Sequence, residues 1–296
     1  MKVRVVRSMG VTTFQDAGRP GYRAQGVPPG GAFDRGSMAV ANALLGQSFD
    51  LAVMEVGGPL VLEFLEDGFV AMAGALFDAR IGGAPTGLPG RTAVAKRAML
   101  TLTPGRVGAR CYLAVRGGWQ VEPVLGSVSG AAVGVGEEYS GVGGPVGRLD
   151  DASLGDPAAS LRSGPLRFVP FDEELDWAPG RAVTVSPQSD RVGIRLLGAG
   201  VTSPGLSQSE PSVCGAIQAT PGGELLVHGP DGPTIGGYDK IGTVIRADLD
   251  RLGQLRPGDQ VTLVAVETGE AKRLLAQREE ELGRLVAFLK IRTASM

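Results

Sequence analysis

Histidine and cysteine are nearly absent from this chain of 296 residues, which carries one histidine and two cysteines. With so few of these residues, no His/Cys cluster is available for a zinc site. A serine hydrolase triad would have to use His228, and no Gly-x-Ser-x-Gly motif surrounds that residue. We favour a surface or hydrogen-bonded histidine instead. Cys111 and Cys214 lack a metal or redox spacing, so we expect buried thiols in a reducing cytosol.

Other absences narrow the class of protein further. The 29 basic and 31 acidic residues give a formal net charge of -2 without a basic run, so we expect no nucleic-acid partner. Charges interrupt every apolar stretch before the roughly 18 residues that a membrane span needs. Residues 1–4 alternate charged and apolar side chains, unlike a signal peptide. No Gly-x-x-x-x-Gly-Lys-Ser/Thr phosphate loop occurs. We therefore expect a soluble, cytoplasmic protein that binds neither membrane nor nucleic acid.

Glycine is the residue present in excess, with 47 glycines beside 20 prolines. A hydrophobic share of 43% with 20% charged residues is typical of a folded chain and not of a disordered one. Short stretches of alternating apolar residues, such as Leu60–Phe64, Cys111–Val115 and residues 261–266, are separated by Gly, Pro or Asp. This pattern predicts a mainly β fold of sandwiches or barrels.

Few helices are predicted, and two of them have clear signals. Asp34 is a candidate N-cap for a short helix that ends before Gly46. A C-terminal helix is predicted from about Thr268 to about Lys290. The leucines spaced for one face of this helix are Leu275, Leu282, Leu285 and Leu289. We expect this face to pack on the core, with contact to a partner chain as the alternative.

The clearest break in composition runs from residue 150 to residue 164, which is rich in Asp, Ser, Ala and Gly. We place the domain boundary there. The predicted domains are an N-terminal β domain at residues 1–155 and a C-terminal β domain with the terminal helix at residues 165–296.

The densest group of functional side chains lies at residues 11–21, followed by residues 30–34. Asp16 and Arg19 stand there among hydroxyls, an amide and glycines, and Gly31 and Asp34 follow within one loop length. Glycines leave the backbone open to close approach by a ligand. A structural loop does not need this density of polar groups, so we interpret the segment as the first half of a site.

A second half is indicated at residues 186–195. If the apolar residues from Val192 onward point inward on a strand, Arg191 and Arg195 share the opposite face. Two guanidinium groups beside Asp190 suit a bound carboxylate or phosphate. A solvated strand edge with an Asp–Arg ion pair is equally compatible with the spacing.

Two later segments add candidate groups with weaker signals. Glu210 precedes a proline and is held extended, which can present its carboxylate rigidly, although an ordinary loop acid fits as well. Gln218 follows shortly after. Gly236 and Gly237 either admit a ligand or form a sharp turn, and Tyr238 offers a hydrogen-bond donor.

Together these segments resemble the KipA family, whose members are also known as the C subunit of 5-oxoprolinase or as allophanate hydrolase subunit 2. The same resemblance extends to the C and D subdomains of the biotin-dependent carboxyltransferase part of urea carboxylase. It covers residues 3 to about 266. The matching motifs are TTFQDAGR at 12–19, GGAFD at 30–34, SDRVGIR at 189–195, SEP at 209–211 and GGY at 236–238.

The resemblance implies two cyclophilin-like β-barrel domains and an obligate partner similar to KipI, the B subunit of 5-oxoprolinase. With a separate A subunit, the complex would open 5-oxo-L-proline to L-glutamate at the expense of ATP with Mg, and this chain would be active only in that complex. A carboxyltransferase component that borrows biotin from a carrier, or a non-catalytic KipA-type regulator of a sensor-kinase inhibitor, are the alternatives. Pro233 stands where the family has a glutamine.

The resemblance also suggests roles for particular residues. Asp16, Arg191 and Glu210 are the predicted catalytic residues, and no dedicated metal ligand is assigned. The predicted substrate-binding residues are Arg19, Gly31, Asp34, Ser189, Asp190, Arg195, Gln218, Gly236, Gly237 and Tyr238. The arginines would hold carboxylate or phosphate charge, whereas Asp16 and Glu210 would transfer protons or contact a metal.

Overall fold

The computed structural model describes residues 1–86, 90–143, 152–153, 164–171 and 180–294. Its contacts divide the chain into two units. The first comprises Met1–Arg19, Asp34–Leu161 and Glu281–Met296, and the second comprises Pro20–Phe33 and Arg162–Glu280. The boundary placed at residues 155–165 falls almost wholly outside the described residues and stays a prediction. No pattern in the sequence indicated that Pro20–Phe33 belongs with the second unit.

The first unit is built from antiparallel strands in two seven-stranded sheets. Its strands are β1 (Lys2–Ser8), β2 (Thr12–Gln15), β3 (Val53–Val56), β4 (Leu60–Phe64), β5 (Gly68–Gly74), β6 (Phe77–Ile81), β7 (Ala84–Pro85), β8 (Gly90–Val94), β9 (Met99–Pro104), β10 (Cys111–Val115), β11 (Trp119–Gln120), β12 (Ala131–Ala132), β13 (Glu138–Gly141) and β14 (Ala152–Ser153). One sheet has the order β11-β13-β1-β4-β9-β6-β7, and the other β12-β2-β3-β10-β5-β8-β14.

The two sheets of the first unit share one apolar core. In β4 the burial alternates along the strand, so that Leu60, Leu62 and Phe64 are buried and the residues between them are half-buried. Phe14 of β2 and Met54 of β3, which lie in the other sheet, belong to the same cluster. Alternating side chains therefore fill the space between the sheets.

Helix α1 (Arg35–Ala43) begins where the sequence predicts. Asp34 is its N-cap, with one carboxylate oxygen accepting a hydrogen bond from the Ser37 amide at 2.8 Å. The other oxygen accepts from the Ser37 hydroxyl. The chain leaves the helix through Gly46, whose φ of 66° lies in the left-handed region that glycine tolerates.

The second unit contains a closed seven-stranded barrel and a separate two-stranded ribbon. Its strands are β15 (Leu166–Pro170), β16 (Ala182–Val185), β17 (Gly193–Leu197), β18 (Glu210–Pro211), β19 (Ala216–Ala219), β20 (Leu225–His228), β21 (Ile235–Gly236), β22 (Asp239–Val244) and β23 (Gln260–Ala265). The barrel order is β15-β22-β19-β20-β17-β16-β23, and β15 pairs in parallel with β23 to close it. The ribbon joins β18 and β21 and is called the β18–β21 ribbon below.

Helices are few in the described part of the second unit. They are the 3-10 turns Arg23–Gln25 and Arg246–Asp248, the short α2 (Leu249–Leu252) and α3 (Thr268–Ala294), whose last residues group with the first unit. Of the leucine face predicted on α3, Leu289 is buried and the other three are half-buried. No helix in the described ranges combines the length and apolar character needed to cross a membrane.

The mainly β fold, the scarcity of helices and the C-terminal helix are confirmed. The closed barrel is confirmed in the second unit, where Phe168, Leu196 and Val227 lie in its core. In the first unit the described strands form two sheets, where the sequence resemblance implied a second barrel.

The cap of α1 gives a stability prediction. Asp34→Ala should lower the free energy of unfolding by about 1–2 kcal/mol, because the Ser37 amide and hydroxyl lose their acceptor. Asp34→Asn, which keeps one acceptor, should lose less. Urea denaturation of the three proteins measures this, and an unchanged midpoint for Asp34→Ala would contradict the assignment.

Candidate functional site

Asp16 is engaged by the loop at residues 127–128 of the first unit. One carboxylate oxygen accepts from the Gly18 amide at 2.8 Å and from the Ser127 hydroxyl at 2.6 Å. The other accepts from the Val128 amide at 2.9 Å. These bonds join positions 111 residues apart in sequence. In this structure Asp16 therefore holds two segments of backbone together, and its catalytic role stays a prediction.

Arg19 reinforces the same loop. Its Nη2 donates to the carbonyl oxygens of Ser127 and Ser129. The Gln15 side chain accepts a hydrogen bond from the Ser129 hydroxyl at 2.6 Å. Residues 15–19 are therefore hydrogen-bonded to the loop at residues 127–129 through several side chains. The Nε of Arg19 is buried and has no hydrogen-bond partner among the described residues. The guanidinium thus has a buried N–H group that is not satisfied within the described residues.

Asp34 lies in a buried polar network of the first unit. Its amide donates to the Tyr112 hydroxyl at 2.8 Å, and that hydroxyl donates to Glu55 at 2.9 Å. Arg110 pairs with the same Glu55 at 3.2 Å. Burial, followed by the charges of Glu55 and Asp34, raises the pKa of Tyr112 well above its usual value. Because its carboxylate already caps α1, Asp34 acts here as a structural residue, and its substrate contact remains a prediction.

Arg191 is a buried ion-pair partner in the second unit. Its Nε and Nη2 donate to the two carboxylate oxygens of Asp231 at 2.7 and 3.0 Å. Nη2 also donates to the Gly31 carbonyl at 2.8 Å. This bidentate geometry uses the planar fork of the guanidinium. Arg191 and Gly31, both predicted site residues, are thus brought together by a contact that holds Pro20–Phe33 to the rest of its unit.

The prediction that Arg191 and Arg195 lie on the same face of one strand is wrong. Strand β17 begins only at Gly193, and Val192 is 47% exposed. Asp190 produces this delay, because its carboxylate accepts from the amides of Val192 and Gly193 and bends the chain before the strand starts.

Two further residues of this segment also have partners within the unit. The Ser189 hydroxyl accepts from the Arg195 amide at 2.9 Å. The Arg195 guanidinium pairs with Glu224 at 3.1 Å and is partly exposed. The ion pairs that the sequence left open therefore form with Asp231 and Glu224 instead of Asp190.

The β18–β21 ribbon and the residues that follow it include predicted residues that are exposed to solvent. Glu210 lies opposite Gly236 in the ribbon, and its carboxylate, 52% exposed, pairs with Lys240 at 2.9 Å. Lys240 also donates to the Pro211 carbonyl at 2.9 Å. Tyr238 is 39% exposed at the end of the ribbon. A carboxylate paired with an ammonium group therefore lies at the ribbon, and an exposed tyrosine follows β21 in the chain.

Gln218 connects the ribbon to the barrel wall. Its Nε2 donates to the Tyr238 carbonyl at 3.0 Å, and its Oε1 lies 2.9 Å from Nε2 of His228. The Nδ1 of His228 lies 2.8 Å from the Ser212 hydroxyl. A Cβ on Gly236 would overlap the Gln218 amide nitrogen, so a larger residue there would displace this side chain. Gly237 meets no such obstacle.

Five members of this group were assigned to the site from the sequence, and the charge of Lys240 in the same segment was also noted there. Glu210, Gln218, Gly236, Gly237 and Tyr238 were predicted and are brought together. Ser212, His228, Lys240 and Arg23, whose guanidinium donates to the Ser212 carbonyl, were not among the assigned site residues. The prediction of a hydrogen-bonded histidine is confirmed for His228. The sequence feature that could have drawn attention to it is that the chain has a single histidine.

A metal centre is not evident in the described residues. No group of three or more His, Cys, Asp or Glu side chains in those ranges is arranged to hold a metal ion. Of the two thiols, Cys111 is buried, which raises its pKa to about 12, and Cys214 is half-buried.

A family model described as carboxyltransferase domain, subdomain A and B, matches residues 25–162 and 170–265. The chain belongs to this family. The match spans both units and covers most of the chain. It names subdomains A and B, where the sequence resemblance indicated C and D.

Curated relatives of nearly equal length carry one name. The chain is 32% identical over 303 residues to the C subunit of 5-oxoprolinase from Escherichia coli, covering 94% of this chain and 95% of the relative. It is 27% identical to the protein of the same name from Haemophilus influenzae, covering 90% and 92%. "Urea amidolyase" of Lachancea kluyveri is 29% identical over 89% of this chain, which spans only 17% of that protein.

Solved structures share the fold. The protein TTHA0988 superposes with a TM-score of 0.80 at 30% identity, covering 90% of this chain and 56% of that one. The chain therefore spans about half of that solved chain. The Kluyveromyces lactis urea carboxylase also gives a TM-score of 0.80, at 24% identity over 96% of this chain and 29% of the other, and at this identity it supports the fold alone.

The Arg191–Asp231 pair gives a second prediction. Arg191→Ala should lower the free energy of unfolding by about 2–3 kcal/mol, because it leaves Asp231 and the Gly31 carbonyl without their donor. Arg191→Lys should recover less than half of the loss, since an ammonium group cannot reproduce the fork.

Urea denaturation of the isolated chain measures these values, and a double-mutant cycle with Asp231→Ala isolates the pair. A loss below about 0.5 kcal/mol for Arg191→Ala would show that the pair is not structural.

The buried histidine gives a pH prediction. Burial, followed by the charge of Arg23, lowers the pKa of His228 below its usual 6.5. The imidazole of His228 therefore binds a proton more weakly in the folded chain than in the unfolded chain. The contribution of His228 to stability should be complete above about pH 6.5 and should decline as the pH falls through its folded-state pKa.

The measurement compares the free energies of unfolding of the wild type and His228→Asn between about pH 8 and about pH 5. The difference in free energy of unfolding between the wild type and His228→Asn should become smaller as the pH falls. An advantage that stays constant or grows toward acid would contradict the lowered pKa.

Proposed function

We propose that this chain is the C subunit of an ATP-dependent 5-oxoprolinase, which opens 5-oxo-L-proline to L-glutamate. The observation that carries the proposal is the near end-to-end match, at 32% identity, to a relative of that name. A shared fold alone would not support a substrate, because related folds host many activities. Because this chain and the relative match over nearly their whole lengths, we infer that the chain has the same role in a complex as that relative.

We propose that the substrate meets the β18–β21 ribbon. 5-Oxoproline carries a carboxylate and a cyclic amide, and hydrolysis develops negative charge on the amide oxygen. The Lys240 ammonium group, whose side chain is 18% exposed, and the phenol of Tyr238, 39% exposed, are the candidate donors for such charge. Glu210, half exposed and paired with Lys240, is the candidate for proton transfer to or from the attacking water and the leaving nitrogen.

ATP, held by the complex, would supply the phosphoryl group that activates the lactam carbonyl. We assign magnesium to the assembled complex as well. The partners we propose are the KipI-like B subunit of 5-oxoprolinase and its A subunit. The roles left to this chain are to orient the substrate and to supply the carboxylate, phenol and ammonium groups of the ribbon.

A second candidate is supported by the urea amidolyase relatives. At 29% identity over 89% of this chain, they favour a carboxyltransferase component that works with biotin. The chain has no Ala-Met-Lys-Met biotinylation motif, so a separate carrier would have to provide the biotin. A dependence of activity on a biotinylated carrier would distinguish this function from the first.

Reconstitution tests the proposal. The chain is mixed with its KipI-like partner and the A subunit of the complex, and ADP release is followed with and without 5-oxoproline. We expect release that depends on the substrate and on all three components. Glu210→Gln should reduce kcat roughly 100-fold or more, because a proton-transfer group is lost.

Glu63→Gln is the matched control, because Glu63 is also a strand carboxylate in an exposed ion pair, with Arg4 in the first unit. It should leave turnover unchanged. No substrate-dependent ADP release by the wild-type complex would refute the proposed function, and equal activity of Glu210→Gln and Glu63→Gln would refute the role of Glu210.

A further inference from the structure

His228 takes no part in the chemistry proposed above, yet it is the central member of a buried hydrogen-bonded chain. It ends strand β20 and is 1% exposed. Its two ring nitrogens reach Ser212 at 2.8 Å and Gln218 at 2.9 Å. These two residues lie on different segments, one after β18 and one in β19. A buried imidazole with both nitrogens engaged is fixed in one orientation.

The protonation pattern of His228 follows from the Tyr238 carbonyl. A carbonyl oxygen only accepts, so Gln218 must turn its NH₂ group toward Tyr238, at 3.0 Å. The Oε1 of Gln218 then faces Nε2 of His228 and must accept from it. Nε2 therefore carries a proton, and in the neutral ring Nδ1 keeps a lone pair that can accept a hydrogen bond.

Ser212 completes the chain from the other side. Its amide donates to the Thr234 carbonyl at 2.9 Å, and its carbonyl accepts from Arg23. The hydroxyl of Ser212 is thus the group left to satisfy Nδ1 of His228, by donating to it. Since Ser212 directly follows β18, this bond ties the first strand of the ribbon to the imidazole.

The second strand of the ribbon is tied to the same ring. Gln218 holds the Tyr238 carbonyl, and its amide packs directly against the backbone of Gly236 in β21. The pairing of β19 with β22 shifts register between Ile217 and Gln218, so that Gln218 lies opposite Lys240, close to where β22 follows the ribbon. Both strands of the β18–β21 ribbon therefore depend on one imidazole.

We propose that His228 is a positioning residue. As the neutral Nε2–H tautomer, it fixes the β18–β21 ribbon and thereby places Glu210 and Tyr238 for the substrate. The part concerning substrate rests on the proposed function, whereas the part concerning the ribbon does not. Displacement of reacting groups by about 1 Å is enough to reduce turnover roughly 100-fold, so a ring that acts only through its neighbours can still control the rate.

The first measurement uses the fact that the chain has a single histidine. The full chain, free of any histidine tag, is labelled with ¹⁵N-histidine, and its long-range ¹H–¹⁵N spectrum is recorded near pH 7.5. One imidazole should appear, with a protonated Nε2 and an unprotonated Nδ1. A protonated Nδ1, or averaging of both tautomers, would overturn the proposal.

The second measurement compares three variants. His228→Phe fills the volume but leaves Ser212 and Gln218 unpaired, whereas His228→Gln can still donate toward Gln218. Val183→Ala, in the barrel strand β16 away from the ribbon, is the control for general loss of stability. His228→Phe should shift the backbone amides of Gly236 and Gly237 and lower kcat of the reconstituted complex roughly 10- to 100-fold. His228→Gln should show smaller amide shifts and a smaller loss of kcat than His228→Phe. Val183→Ala should change neither the amide shifts nor kcat.

The outcomes separate the two proposals. If His228→Phe folds and loses no more turnover than Val183→Ala, positioning is refuted even though the proposed function stands. If the wild-type complex has no turnover, the proposed function fails, and the tautomer and the ribbon amide shifts decide the positioning of the ribbon alone. If His228→Phe does not fold, the tautomer of the wild type and the comparison of His228→Gln with Val183→Ala decide it.

Discussion

The carbonyl oxygen of Tyr238 can only accept a hydrogen bond, and the arrangement of the ribbon depends on that constraint. It orients the amide of Gln218, which in turn sets the tautomer of His228 and the direction of the Ser212 hydroxyl. None of these buried groups can be reversed singly without leaving a donor facing a donor or an acceptor facing an acceptor. Such an unsatisfied pair would cost about 1–3 kcal/mol, so the chain of bonds has one arrangement.

The predicted site residues fall into two physical classes. The charges of Asp16, Asp34, Asp190 and Arg191 are engaged by backbone groups or side chains within their own unit. Glu210 and Tyr238 instead keep much of their surface exposed. A polar motif can therefore serve to build a loop. For this reason we base the proposed chemistry on the ribbon and regard the N-terminal motif chiefly as the scaffold of its own unit.

The features predicted correctly from sequence are local ones. The N-cap at Asp34 acts over three residues, and the alternation of Leu60, Leu62 and Phe64 follows from the geometry of a single strand. Contacts between distant segments were not predictable from one sequence, because nothing in the spacing pairs Asp16 with Ser127. The start of β17 was misjudged for a related reason: an Asp190 turn delays the strand by one residue and exposes Val192. The register shift at Gln218 has no sequence signal at all.

The central claim is that substrate binds at the β18–β21 ribbon and not at the polar segment around Asp16. Hydrogen–deuterium exchange of the reconstituted complex, with and without 5-oxoproline, tests it most directly because it reports on backbone amides throughout a large assembly. We predict that added 5-oxoproline slows exchange at residues 210–212 and 235–240 of this chain. Slower exchange confined to residues 12–19, with no change in the ribbon, would contradict the claim.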